Sequence, residues 1–190
     1  MALLAELNTK VRVSDLYQQN FIAVASWDDF VADKKTFSQQ YFLAQQEAFI
    51  RGQLAHQISA ELDKITWADH IIFQFPLWWF STPAILKGWL DRVLVKGFAY
   101  DAGKTFDQGL LQGKTASLVV STQSSESAYQ LDGLHKETID TFLHPIHHTL
   151  RFAGFKTLPP FVTYGAFHLE SPQEEQIVRD YREYLKKFVL

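Results

Sequence analysis

Residues 67–100 read WADHIIFQFPLWWFSTPAILKGWLDRVLVKGFAY and decide the fold. Residues 70–75 form a short apolar run with two β-branched side chains, which is typical of a buried strand covered on both faces. Pro76 cannot donate to a β-ladder, so we expect the strand to end there. Residues 81–83 predict a helix start with a hydroxyl cap, and residues 84–93 carry apolar side chains at helical spacing. This strand–turn–helix unit predicts an α/β protein with a parallel sheet.

Four apolar residues follow the strand directly: Leu77, Trp78, Trp79 and Phe80. In open α/β sheets, ligands bind in the crevice beyond the carboxyl ends of the strands, where indole rings could form a wall for a flat ligand. Large aromatic side chains are, however, more often packed in a core or at a subunit interface. Taken alone, the aromatic run leaves both interpretations open.

The composition is that of an ordinary globular protein. The chain has 190 residues, of which 47% are hydrophobic and 21% charged, so we expect residues 1–190 to form a single domain. A formal net charge of −3, with no long Lys/Arg run, argues against a nucleic-acid partner. The absence of cysteine excludes disulfides and thiolate catalysis. No apolar run reaches the roughly 18 residues of a membrane span and no signal peptide is visible, so we expect a cytoplasmic protein without membrane insertion.

Residues 72–93, IFQFPLWWFSTPAILKGWLDRV, resemble the central segment of the NAD(P)H:quinone oxidoreductases, the DT-diaphorase family, most closely its short bacterial members. The resemblance implies a three-layer flavodoxin-like α/β fold and a homodimer with each active site at the subunit boundary. It also implies a bound flavin, FAD or FMN, which takes hydride from NAD(P)H and passes it to a quinone after the nucleotide has left. In that site the flavin contacts would come from Pro76, Leu77, Trp78, Trp79 and Phe80.

A second buried strand is predicted at residues 115–120, followed by Ser121, Thr122, Gln123 and Ser124. This position at a strand's carboxyl end suits backbone N–H contacts to a flavin, as the resemblance implies. The family has a pair of glycines where Gln123 and Ser124 stand, and side chains there restrict the backbone. Small polar residues of this kind are also common as simple turn formers.

Tyr129 and His135 match, at the family spacing, the tyrosine and histidine that lie beside the flavin and act in catalysis. Because the cofactor carries the redox chemistry, the protein contributes donors aimed at oxygens where negative charge builds. A phenol hydroxyl and an imidazole can do this and can also deliver a proton. A single histidine in a loop is more often structural or solvated, so this assignment depends on the resemblance.

Tyr100 and Phe152 match residues of the family's quinone pocket. The second tyrosine of that pocket is replaced by Ala102, so we expect a more open substrate mouth. Tyr100 could equally cap the core with its hydroxyl in water. Three histidines at positions 144, 147 and 148 have a spacing that a metal could use, but the same spacing suits an exposed helical face, and we expect no metal site.

The beginning of the sequence departs from the family pattern. Residues 1–10 predict a helix and residues 11–15 a strand that matches the family's second strand. No counterpart of the family's first strand and phosphate-binding loop is visible. We therefore expect either that Met1 is not the functional start or that the cofactor site is weakened. The second possibility suggests an alternative function: a flavodoxin-like regulatory or partner-binding protein, such as an ancillary subunit of a potassium-efflux system.

Overall fold

The computed structural model describes residues 9–189 and contains both helices and strands. The main elements, in order, are α1 (Tyr41–Ile50), α2 (His56–Trp67), β1 (His70–Pro76), α3 (Ala84–Val93), β2 (Thr115–Ser121), α4 (Ile139–Phe152), β3 (Lys156–Thr157), β4 (Phe161–Thr163) and α5 (Ser171–Phe188). Short 3-10 helices lie at Trp27–Asp29, Lys34–Thr36, Phe106–Gln108, Glu126–Tyr129 and Ala166–His168. Within this described part, no helix is long and apolar enough to cross a membrane.

β2 is the central strand of a parallel sheet. β1 pairs with one edge of β2 along its whole length, from His70 opposite Thr115 to Pro76 opposite Ser121. β3 and β4 follow each other along the opposite edge of β2. They are separated by two consecutive prolines, which cannot donate to a ladder. The carboxyl ends of β1, β2 and β4 therefore lie at the same end of the sheet, as the sequence predicted.

Helices pack on both faces of this sheet. On one face, Trp89 of α3 meets Phe73 of β1 edge to face, with ring centroids 5.5 Å apart. On the other face, Tyr181 of α5 contacts Phe161 of β4 at 5.0 Å. The prediction that β1 is covered on both faces is wrong for its carboxyl half, where Gln74 is exposed. The reason is that α5 packs on β4, two strands away from β1.

The strand predicted at residues 11–15 is not present. This segment instead lies along α2, where Lys64 donates to the Val13 carbonyl (3.3 Å) and Ser14 donates to the Glu61 carboxylate (2.6 Å). Side chains of a helix thus supply the hydrogen bonds that a neighbouring strand would otherwise supply. Most of the helix predicted at residues 1–10 lies outside the described residues.

A buried ion pair joins α3 to the segment before α1. Arg92 and Asp29 are both almost fully buried, and the Arg92 guanidinium donates to one Asp29 oxygen from Nε (2.9 Å) and Nη2 (2.7 Å). The Tyr41 hydroxyl donates to the second Asp29 oxygen. Burial and the Asp29 carboxylate raise the pKa of Tyr41 above its ordinary value. Because these charges are paired, the pair holds the segment in place without leaving an uncompensated charge inside the protein.

Candidate active site

The chain makes a tight two-residue turn at the carboxyl end of β1. Trp78 and Ser81 exchange both backbone hydrogen bonds, at 2.9 and 3.0 Å, and the two residues between them have positive φ, +49° for Trp79 and +60° for Phe80. Positive φ at both central residues is the pattern of a type I′ turn, which normally takes Gly or Asn. A side chain in this left-handed conformation costs roughly 1–2 kcal/mol per residue. Backbone strain of this kind is concentrated at functional sites.

The turn holds its indole rings in solvent. Trp79 is 85% exposed and Trp78 is 58% exposed, which excludes core packing for both within this chain. The backbone N–H of Leu77 donates to the Ser121 carbonyl (2.8 Å), so the turn is tied to the end of β2. The helix start after the turn differs from expectation: Pro83 is the N-cap of α3, and no side chain caps the helix.

The loop after β2 is anchored to the loop after β4. Thr122 is buried, its backbone N–H donates to the Thr163 carbonyl (2.9 Å), and its hydroxyl donates to the Ser124 carbonyl (2.8 Å). That carbonyl also accepts from the Gly165 N–H (3.0 Å). Within residues 9–189, no hydrogen bond is recorded for the consecutive backbone N–H groups of residues 123, 124 and 125. Such a row of free donors can bind oxygen atoms of a ligand.

Tyr129 and His135 lie against each other. Their ring centroids are 4.6 Å apart, and the His135 backbone N–H donates to the Ala128 carbonyl (3.0 Å). The segment between Tyr129 and His135 passes through Gly133 in close contact with the preceding loop. A Cβ added at Gly133 would lie only 2.3 Å from the Ser127 carbonyl oxygen. The imidazole is held on its other side, because Nε2 of His135 lies 2.9 Å from Oγ of Ser124.

Two further aromatic residues complete this group, and the sequence reasoning missed both. Phe142 of α4 contacts Phe80 with centroids 4.9 Å apart, and Tyr164 lies 5.7 Å from Tyr129. Phe80 itself meets the His135 ring edge to face at 5.2 Å. We call these five residues the aromatic cluster: Phe80, Tyr129, His135, Phe142 and Tyr164. Tyr164 directly follows β4, and an aromatic residue with a polar group just after a strand is a signal that the sequence carries.

The environment of Tyr164 is apolar and negatively charged. Burial raises the pKa of Tyr164, and the carboxylates of Glu126 and Asp140 raise it further. The phenol therefore stays protonated at neutral pH and can act as a hydrogen-bond donor in the cluster.

Tyr100 and Phe152 belong to a separate group. Their ring centroids are 5.4 Å apart, and Phe106 packs on Phe152 at the same distance. A cleft of about 360 Å³ lies beside them, bordered also by Thr82 and Pro145. Phe142 and Phe152 stand ten residues apart on α4, a spacing that corresponds to about 15 Å along a helix. Within one chain, the ring contacts therefore do not join the two predicted substrate residues to the aromatic cluster.

The three histidines of α4 do not form a metal site with other ligands. The rings of His144 and His148 stack with centroids 5.6 Å apart. In the part of the chain that the structure describes, no group of three or more His, Cys, Asp or Glu side chains could hold a metal ion.

Residues 1–188 match a protein family described as having a flavodoxin-like fold. Mouse ribosyldihydronicotinamide dehydrogenase (quinone) is 40% identical over 179 residues, which is 92% of this chain and 76% of that protein. Rat NAD(P)H dehydrogenase (quinone) 1 is 39% identical over 175 residues, which is 91% of this chain. The chain spans 64% of the length of the rat protein.

Two solved structures share the architecture. A Klebsiella pneumoniae protein, provisionally described as a quinone reductase, superposes with a TM-score of 0.92 at 35% identity, covering 99% of this chain and 76% of that one. General stress protein 14 of Treponema denticola, solved in complex with FMN, superposes with a TM-score of 0.60 at 29% identity. This second alignment covers 74% of this chain and 77% of the other.

Fold and site together define an α/β protein of the flavodoxin-like class. Within that class, the chain belongs to the NAD(P)H:quinone oxidoreductase family. Both the family and the flavodoxin-like fold predicted from the sequence are confirmed.

Proposed function

We propose that this protein is a flavin-dependent NAD(P)H:quinone oxidoreductase. The observation that carries the proposal is that an aromatic turn and a Tyr–His pair lie next to each other at the carboxyl end of the sheet. A strained turn that exposes two tryptophans there is joined, through Phe80, to the adjacent rings of Tyr129 and His135. The names of the mouse and rat relatives indicate dihydronicotinamide donors and quinone acceptors.

The residues present fit a flavin. Trp79 offers an exposed indole face to a flat ring system, with Pro76, Leu77, Trp78 and Phe80 beside it. In the loop from Ser121 to Ser124, the backbone N–H groups of residues 123 and 124 make no hydrogen bond within the described residues, so they suit the carbonyl oxygens and ring nitrogens of a flavin. A bound flavin supplies the hydride-transfer chemistry. We propose FAD or FMN; the Treponema denticola protein was solved with FMN, which supports a flavin at this site.

Tyr129 and His135 are proposed as the catalytic residues. The Tyr129 ring is buried, but its hydroxyl makes no hydrogen bond within the described residues, so this donor is available to a ligand. A phenol and an imidazole side by side can donate to an oxygen that gains negative charge. They can then deliver the proton that a reduced quinone oxygen requires.

The proposed enzyme is a homodimer. In one chain the aromatic cluster and the pair Tyr100–Phe152 are separate groups, at opposite ends of α4. A second copy could bring its own Tyr100 and Phe152 to the first copy's cluster, so that each site is complete only in the dimer. The more open substrate mouth expected from Ala102 belongs to this proposal as well.

The test uses purified protein and a quinone. A yellow preparation absorbing near 450 nm that oxidises NADH or NADPH in the presence of quinone would support the enzyme. Chromatography of the released cofactor then distinguishes FAD from FMN. A colourless protein that fails to take up either flavin would contradict the proposal and favour the regulatory or partner-binding alternative.

A further inference from the structure

Ser124 lies in the loop after β2, and its hydroxyl contacts the predicted catalytic histidine. Oγ of Ser124 lies 2.9 Å from Nε2 of His135 across eleven residues of sequence. The other ring nitrogen, Nδ1, makes no hydrogen bond within the described residues, so only Nε2 is engaged by the chain.

The backbone of Ser124 is itself held in place. Its carbonyl oxygen accepts from the Thr122 hydroxyl at 2.8 Å and from the Gly165 backbone N–H at 3.0 Å. Thr122 is buried, and Gly165 lies directly beyond β4. The hydroxyl of Ser124 therefore projects from a loop that is tied to two strand ends of the sheet.

A serine hydroxyl both donates and accepts hydrogen bonds. It can donate to Nε2 when that nitrogen has a free lone pair, and it can accept from Nε2 when the nitrogen carries a hydrogen. The contact therefore persists whether the imidazole is neutral or charged. A ring tied at Nε2 keeps its orientation while Nδ1 gains or loses a proton.

We propose that Ser124 is a positioning residue for His135. Its hydroxyl holds Nε2, keeps the imidazole against Tyr129 and leaves Nδ1 as the nitrogen that exchanges a proton with the substrate. A glycine at this position lacks the hydroxyl and provides no such contact. The kinetic consequence rests on the proposed function, whereas the structural consequence does not.

The structural test is the mobility of the His135 ring, measured by ¹³C relaxation of its Cε1–H group with the signal assigned by a His135→Gln variant. In Ser124→Ala, we expect the ring's order parameter to fall on the picosecond–nanosecond timescale. Ser124→Thr, which keeps the hydroxyl, should restore the wild-type value. Ser127→Ala is the matched control, because the Ser127 hydroxyl contacts Ser125 (3.0 Å) and not His135.

The kinetic test is the rate of quinone reduction in flavin-saturated protein. Ser124→Ala should lower kcat by about tenfold, a small part of what general acid–base catalysis contributes, with KM and flavin affinity unchanged. Ser124→Thr should recover most of the rate, and Ser127→Ala should equal the wild type.

The relaxation and rate measurements distinguish a failure of the positioning role from a failure of the proposed function. An unchanged ring order parameter in Ser124→Ala would overturn the positioning role, whatever the rate. A wild-type protein without turnover, whose His135 ring still loosens in Ser124→Ala, would overturn the proposed function and support the positioning role. A loss of flavin affinity in Ser124→Ala with an unchanged ring would show a direct contact with the cofactor and contradict the inference.

Discussion

At the scale of single residues, Trp79 combines an unfavourable backbone conformation with almost complete exposure of its ring. Few contacts within the chain offset the cost of its positive φ. Replacing Trp79 with Gly should raise the free energy of unfolding by about 1 kcal/mol, because glycine adopts this conformation without strain. Urea denaturation measures the change. Trp79→Ala keeps the strained positive φ, so its free energy of unfolding should equal that of the wild type. Equal free energies of unfolding for Trp79→Gly and Trp79→Ala would contradict the explanation by backbone strain.

The same two variants should bind flavin more weakly. Removing a stacked aromatic ring should lower flavin affinity by about tenfold, as judged from the usual strength of aromatic pairs. Quenching of flavin fluorescence measures the affinity. Trp67→Ala is the control, since Trp67 is also partly exposed but lies at the end of α2. Equal losses of flavin affinity in Trp67→Ala and Trp79→Ala would show that the affinity does not depend on the ring of Trp79 in particular.

Because of His70, we expect the free energy of unfolding to decrease in acid. Burial lowers its pKa from 6.5 to about 4, and its two ring nitrogens lie 2.6 Å from the Thr115 hydroxyl and 2.9 Å from the Ser117 hydroxyl. The unfolded chain takes up a proton near pH 6.5, whereas the folded chain takes it up only near pH 4. The stabilisation by neutral His70 is therefore complete above pH 6.5 and is lost as the pH falls towards 4, by at most about 3 kcal/mol.

Urea titrations between pH 4 and 7 test this dependence. The variant His70→Gln should show a shallower decline in stability with acid than the wild type. His168→Gln, which changes an exposed histidine, should decline as the wild type does. Parallel curves for wild type and His70→Gln would contradict the assignment.

At the scale of elements, the loop between the Glu126–Tyr129 3-10 helix and α4 depends on Gly133. A Cβ at this position would lie 2.3 Å from the Ser127 carbonyl oxygen, so Gly133→Ala must displace the chain that carries His135. We expect a loss of about 1–3 kcal/mol of stability and a lower kcat. Gly103→Ala meets no atom within 4 Å and should cost only backbone strain, with activity kept. Unimpaired turnover in Gly133→Ala would contradict this account.

The attachment of α3 depends on the pair Arg92–Asp29. Arg92→Met leaves the Asp29 carboxylate buried without its partner, which should cost about 3–5 kcal/mol. On the same helix, the exposed pair Lys87–Asp91 (2.6 Å) provides the control. Lys87→Met should change the free energy of unfolding by less than about 1 kcal/mol, because solvent screens the pair. Similar effects in the two variants would contradict the distinction between buried and exposed pairs.

Apolar periodicity and the positions of prolines in the sequence were sufficient to predict several helix and strand boundaries. The bounds of α3 and the starts of β1 and β2 are confirmed. The strand at residues 11–15 was predicted wrongly, because a β-like pattern does not reveal that Ser14 and Val13 are bonded by side chains of α2. Phe142 was missed because its apolar side chain on an amphipathic helix looks like any core residue. The bond between Ser124 and His135 depends on two loops meeting, which no local pattern contains.

At the scale of the whole molecule, the separation of the two ring groups predicts complementation between variants. His135→Asn damages the aromatic cluster, and Phe152→Ala damages the other group. If each site combines the two groups from different copies, a mixed dimer of these variants has one site with both defects and one site with neither. Random mixing should then restore about a quarter of the wild-type rate from two impaired proteins.

The mixture is refolded together and its turnover is compared with that of each variant alone. Light scattering coupled to size exclusion gives the mass of the species. A mass of one chain, or a mixture no faster than its components, would contradict the shared site. The single domain expected from the chain length stays a prediction alongside the dimer.

The turn at Trp79 and Phe80 also bears on how such a sequence persists over generations. Most random replacements at exposed sites are nearly neutral for folding, but a glycine here would make the fold more stable. Natural proteins rarely reach their stability optimum, so a tryptophan that costs folding stability can persist here. A glycine in its place would remove the ring offered to the proposed flavin. At this turn, a gain in folding stability therefore excludes the aromatic contact.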